Sequence, residues 1–75
     1  MRFLRLLIKN DPTTLLRIVS VVSRQGILIE QMSLHSSDRD GNSVLTMGLN
    51  ASGDAVSGVQ RSLRKILDVV RCEPT

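Results

Sequence analysis

From Arg2 to Lys9 the chain alternates, with Leu4, Leu6 and Ile8 on one side and Phe3, Arg5, Leu7 and Lys9 on the other. A period of two is that of a strand. The second side carries Phe3 and Leu7, so it too is expected to be covered, with another chain as one source of cover. The period then changes. Leu15, Ile18, Val19 and Val22 fall at i, i+3, i+4 and i+7, the stripe of an amphipathic helix, with Arg17 and Arg24 off it. Asp11 is a strong N-cap, Pro12 is tolerated at the first helical position, and Gly26 supplies the left-handed residue that ends a helix. Ile27 to Ser36 is apolar and β-branched, but Ile27 and Ile29 share one parity while Met32 and Leu34 share the other. A bulge or a late strand start near Glu30 accounts for the slip. Asp38-Arg39-Asp40-Gly41-Asn42 predicts a hairpin turn into a third strand over Ser43–Ala51. There Leu45, Met47, Leu49 and Ala51 share a face and alternate with Val44, Thr46, Gly48 and Asn50. Ser52-Gly53-Asp54 predicts a turn and cap, and Val56, Val59, Leu63, Ile66 and Leu67 form a second helical stripe. Gly58 weakens that helix by about 1 kcal/mol relative to Ala unless a close contact requires it. Val69–Cys72 predicts a short last strand, with Glu73-Pro74-Thr75 closing the chain.

The expected order is βαββαβ, as one domain over residues 1–75. Two amphipathic helices alternating with four strands predict an α+β, ferredoxin-like fold in which both helices cover one face of an antiparallel sheet. Right-handed crossovers favour the strand order 4-1-3-2, which leaves strands two and four as open edges. An open edge invites pairing with a second copy. Size argues in the same direction, because a chain of 75 residues buries only about 60% of its unfolded surface and often needs a disulfide, a metal or a partner. Cys72 is the sole cysteine and His35 the sole histidine, so neither an internal disulfide nor a His/Cys metal cluster is available. Oligomerisation remains.

Composition narrows the chemistry. The apolar fraction is 41%, yet Phe3 is the only aromatic residue, so the core must be Leu, Ile, Val and Met. No apolar run approaches the roughly 20 residues of a membrane span, and Met1 to Ile8 is too short and too interrupted by Arg5 for a signal peptide. A cytoplasmic protein without a membrane partner is expected. The net charge of +3 comes from ten basic residues scattered among seven acidic ones, weak support for a nucleic-acid partner, and no aromatic platform exists for base stacking. A nucleic-acid-binding ferredoxin-like domain stays open as an alternative, distinguished by strongly salt-dependent binding to polynucleotides. A metal carrier of similar topology would need a thiol pair that Cys72 cannot supply.

Catalytic groups are not apparent. Ser36 follows His35 on a strand and so points to the opposite face, which makes a structural or exposed role for the histidine the better reading. Cys72 reads as a small buried or edge hydrophobe. Arg61, Arg64 and Lys65 could meet a phosphate, but a solvated helix face with cations near the C-terminal end of the dipole is the better reading. No residue is assigned a catalytic or metal-binding role, and no cofactor is expected on this chain. The one plausible site is the loop Asn10–Thr14, where backbone N–H groups at a helix N-terminus could receive a ligand carboxylate. Asp11 would occupy those donors itself and Pro12 removes one.

Leu7-Ile8-Lys9-Asn10, Leu15-Leu16-Arg17-Ile18-Val19 and Ser23-Arg24-Gln25-Gly26-Ile27-Leu28-Ile29-Glu30 are similar to the pattern N-x-x-G-x-L-x-R-V, S-x-R-G-x-N-I-E. Leu63-Arg64-Lys65-Ile66-Leu67-Asp68-Val69-Val70-Arg71 resembles the ending K-L-x-D-V-x-x-V. Both patterns are those of ACT domains, the small modules through which amino acids regulate metabolic enzymes, and in particular of the small subunit of acetolactate synthase (acetohydroxyacid synthase). The resemblance spans nearly the whole chain. It implies a non-catalytic partner of a large thiamine-diphosphate-dependent catalytic subunit in branched-chain amino acid synthesis, the cofactor residing on that subunit. It also implies a homodimer through strand two, forming an eight-stranded sheet with effector sites at the seam.

By that likeness the ligand-binding positions are Asn10, Asp11, Thr13, Thr14, Leu28 and Ile29. Two depart from the family's pattern: Thr13 stands where the valine loop has Gly, and Leu28 where strand two has Asn. A β-branched residue blocks close backbone approach and Leu cannot donate to a carboxylate. Pro12-Thr13-Thr14-Leu15 resembles instead the short isoform that is insensitive to valine, and the second domain of longer members is not expected. The expectation is activation of the catalytic subunit with weak or absent valine feedback. A free-standing amino-acid-sensing ACT domain is the alternative of the same fold.

Overall fold

The computed structural model describes residues 1–36 and 41–75. Strand β1 (Arg2–Lys9) is followed by helix α1 (Pro12–Arg24), strands β2 (Leu28–Ser36) and β3 (Asn42–Asn50), helix α2 (Gly53–Leu63) and strand β4 (Val69–Pro74). All pairings are antiparallel and the sheet order is β2-β3-β1-β4, as the crossover argument requires. Leu4, Leu6 and Ile8 of β1 and Leu45, Met47 and Leu49 of β3 form one buried cluster with Ile18 and Val22 of α1 and Val56, Val59 and Leu63 of α2. The core is aliphatic throughout.

The other side of β1 is half-covered, as Phe3 and Leu7 foretold, and part of the cover is internal. Phe3 pairs with Gly48, where a side chain would collide with the Phe3 ring and Met1. Gly48 is therefore buried beneath an aromatic cross-strand neighbour.

Helix α1 ends as its glycine predicts. Gly26 has φ +74°; its N–H donates to the Ser23 carbonyl at 3.0 Å, and the Ile27 N–H reaches back to that of Val22 at 3.4 Å. These two bonds make a Schellman cap, and buried Ile27 and Val22 provide its apolar contact. The phase slip in β2 is a bulge at Glu30, since Ile29 pairs with Leu49 while Gln31 pairs with Gly48. The hairpin turn expected over residues 38–42 lies largely outside the described residues; Gly41, at its end, has φ +64°.

Two expectations need correction. The second helical stripe was expected to run through Ile66 and Leu67, but α2 stops at Leu63. Beyond it Lys65 N–H donates to the Ser62 carbonyl, Ile66 to Leu63 and Val69 to Ile66, all three-residue steps. Tightening from four to three residues per bond rotates the chain. Ile66 still packs against the core, while Leu67 is turned outward and is 91% exposed. β4 also runs on past Cys72 through Glu73 and Pro74. Proline is tolerated there because β4 is an edge strand.

Gly58 is not required by a close contact: a Cβ there would meet only Gln25 Oε1, at 3.9 Å. Gly58→Ala should raise stability by about 0.5–1 kcal/mol in urea unfolding. Leu63→Ala should cost about 2–5 kcal/mol and Leu67→Ala less than about 0.5 kcal/mol. Comparable losses at the two leucines would place Leu67 in the core after all.

Candidate functional site

The turn from β1 into α1 borders a cleft of about 270 Å³, lined by Ile8, Lys9, Asn10, Asp11, Pro12 and Leu15, with Leu34 and Ser36 from β2 and Ser43 from β3. The register delivers these strand residues: Lys9 pairs with Asn42 and Ser36 with Ser43, so the ends of three strands meet at the start of α1. Asn10 Oδ1 accepts from Ser43 Oγ, which fixes the amide against β3.

Every backbone donor of this turn except the proline's missing one is used within the chain. Asn10 N–H donates to the Gly41 carbonyl at 3.0 Å, Asp11 to Lys9 at 2.8 Å, and Thr14 to Asp11 at 3.0 Å. Asp11 is the N-cap, and its Oδ1 accepts from both the Thr13 N–H and the Thr13 hydroxyl at 2.9 Å. These two bonds, with Arg17 nearby, hold the Asp11 carboxyl below its ordinary pKa. A carboxylate approaching the helix start therefore meets a carboxylate already there. Thr14 is fully buried, its hydroxyl donating to Asp68 Oδ2 at 3.0 Å, while the Asp68 carbonyl accepts from Lys9 N–H at 3.0 Å. Asp68 thus ties the α2–β4 turn to the first turn of α1.

Leu28 and Ile29 are not part of this cleft. They open β2 at its far end, where Leu28 pairs with Asn50, roughly 25 Å from Ser36 at about 3.3 Å per residue. Leu28 is 63% exposed and Ile29 half-buried. One chain therefore brings together Asn10, Asp11, Thr13 and Thr14 and leaves the other two positions apart. Sequence reasoning missed Leu34, Ser43 and Asp68, whose places depend on strand register and on a turn between elements.

The chemically suggestive residues have structural places. Cys72 is buried, and desolvation raises its thiol pKa, which keeps it protonated and a poor nucleophile. Its carbonyl accepts from Gln60 Nε2 and from Arg64, each at 3.0 Å, so Arg64 is an intramolecular clamp. His35 is exposed on β2 opposite Val44. Among the described residues no three His, Cys, Asp or Glu side chains converge as metal ligands, and no helix is long and apolar enough to cross a membrane.

The model of the ACT domain family matches residues 10–72, from the capped turn to the clamped Cys72. The chain belongs to the ACT domain family. No curated protein gives a significant match. Among solved structures, this ACT domain is similar to the ACT domain of GTP pyrophosphokinase from Chlorobium tepidum, with a TM-score of 0.80 and 19% identity, over 99% of this chain and 95% of that one. It is also similar to the acetolactate synthase small subunit of Thermotoga maritima, with a TM-score of 0.87 and 19% identity, over 97% of this chain and 45% of that one. The C-terminal domain of MgtC from Mycobacterium tuberculosis is similar at a TM-score of 0.74 and 15% identity, over 99% of this chain and 83% of that one. At these identities the likeness is one of fold. The chain spans less than half of the T. maritima subunit.

ACT domains are regulatory rather than catalytic modules, which directs attention in this one to the turn at Asp11. Its cap has a pH signature. A carboxyl whose folded pKa is lowered contributes stability that is fully present above its unfolded pKa, about 4, and is lost as pH falls through the lower folded value. Asp11→Asn keeps an N-cap oxygen but cannot titrate. The Tm advantage of the parent over this variant should be constant from pH 7 to about 5 and shrink below about pH 4. An advantage that persists undiminished to pH 2 would show that the charge of Asp11 plays no part in the cap.

Proposed function

We propose that this ACT domain is the non-catalytic small subunit that binds and activates the large subunit of an acetolactate synthase, with weak or absent valine feedback. The observation that carries the reading is a regulatory fold whose effector turn has no free backbone donor from Asn10 to Thr14. A module so closed is suited to acting through its surfaces. The choice of enzyme is supported by the motif likeness in residues 7–30 and 63–71, and by a fold shared with the T. maritima small subunit. The thiamine diphosphate belongs to the large subunit, and this chain contributes no cofactor.

The proposed assembly is a homodimer through the outer margin of β2. Among the described residues that margin has no strand neighbour, and Leu28, Met32 and Leu34 on it are 46–63% exposed. The opposite edge is less suited, since β4 is interrupted by a register shift at Val70 and ends in Pro74. Antiparallel β2–β2 pairing would lay the Leu28 end of one chain beside the Ser36 end of its partner. It would thereby join Leu28 and Ile29 of one protomer to Asn10, Asp11, Thr13 and Thr14 of the other, and any branched-chain amino acid at that seam is held weakly.

The cleft beside Asn10 favours a second reading, a free-standing amino-acid sensor; calorimetry with valine, leucine and isoleucine separates the two, since tight binding belongs only to the sensor. The direct test of the first is acetolactate formation by the large subunit with and without the chain. Severalfold stimulation at saturation is expected, with no turnover by the chain alone, and an unchanged rate would refute the assignment. Met32→Lys with Leu34→Lys should convert a dimer in sedimentation equilibrium to a folded monomer. A parent chain that is monomeric at tens of micromolar would rule out the β2 seam.

A further inference from the structure

The outer side of α1 carries a groove of about 740 Å³ that the effector turn does not include. Its apolar part is Leu16, Val21 and Ile66, and Ser20 and Ser23 leave it shallow and open. Leu16 is 68% exposed, and Leu67, next in sequence to Ile66, is 91% exposed. These are large apolar surfaces for so small a domain. Arg17 and Arg24 line the same groove. Helix α1 contains no acidic residue, nor does the segment 61–67, which adds Arg61 and Lys65, Arg64 being engaged with the Cys72 carbonyl.

We propose that this groove docks an acidic amphipathic helix of the large subunit, its apolar residues seated on Leu16, Val21 and Ile66 and its carboxylates meeting Arg17 and Arg24. The inference rests on the proposed regulatory role and names its contact surface. Charge complementarity selects the occupant. A second copy of this chain would set one arginine-lined groove against another, and like charges brought together at an interface are strongly disfavoured. A lipid surface is a poorer fit, because of the groove's apolar residues only Leu16 is largely exposed, while Val21 and Ile66 are half-buried. An amphipathic helix presents apolar anchors at i, i+3 and i+4 with charges beside them, the pattern this groove complements.

The test uses the full chain and the large subunit, reading the chain concentration that gives half-maximal activation. Leu16→Glu and the double variant Arg17→Glu with Arg24→Glu alter exposed positions, so helix content and the dimer should be retained, which circular dichroism and sedimentation verify. Each should raise the half-saturating concentration about tenfold or more, and salt from 0.05 to 0.5 M should weaken the parent's association. Unchanged half-saturation in both variants, with the parent still activating, would overturn the groove and leave the regulatory role standing. Failure of the parent to bind the large subunit would overturn both. Phosphatidylglycerol vesicles provide the lipid arm: binding there that the variants lose, with activation unaffected, would assign the groove to a membrane and contradict the proposal.

Discussion

The constraint on which the rest depends is the burial of a purely aliphatic core by a sheet that has more surface than its two helices can cover. With Phe3 as the sole aromatic residue, α1 and α2 seal the inner side of β1 and β3 completely: Leu4, Leu6, Leu45, Met47 and Leu49 have no exposed surface. They do not reach the rim. Met32 and Leu34 pair with Met47 and Leu45, whose side chains are in the core, yet remain about half-exposed because β2 lies at the sheet's margin. The β2 pairing proposed above would cover this edge.

Where the family's likeness would place an effector, the backbone donors are fully used within the chain. Asp11 caps α1, Pro12 contributes no N–H, Thr13 is held twice by Asp11, and Thr14 is buried against Asp68. A ligand carboxylate would have to displace the Asp11 side chain from hydrogen bonds that lower its pKa, and repel it in doing so. Five of the chain's exposed apolar residues, Leu28, Met32 and Leu34 on the β2 edge and Leu16 and Leu67 at or next to the basic α1 groove, mark the two surfaces proposed for partners.

Much of this was legible in the residues because local signals agreed with one another. Alternation in β1 and β3, the Asp11-Pro12 start and Gly26 end of α1, and the parity slip at Glu30 each have a physical cause confined to a few neighbours. What could not be read depends on contacts distant in sequence. The end of α2 has no glycine or proline to mark it, so the apolar spacing continues through Ile66 and Leu67. The turn there is drawn instead by Asp68, which bonds Lys9 and Thr14 more than fifty residues away. The separation of Leu28 and Ile29 from Asn10 likewise follows from strand register, and only a second chain could bring them together.

The central claim is that the effector turn is closed by its own hydrogen bonds. Backbone amide resonances of Thr13 and Thr14, followed in the ¹⁵N-labelled protein while valine is added to millimolar concentration, report on it most directly. The account predicts that both remain in place. Saturable movement of either, with a midpoint in the micromolar range, would mean that the turn opens to a ligand and would contradict it.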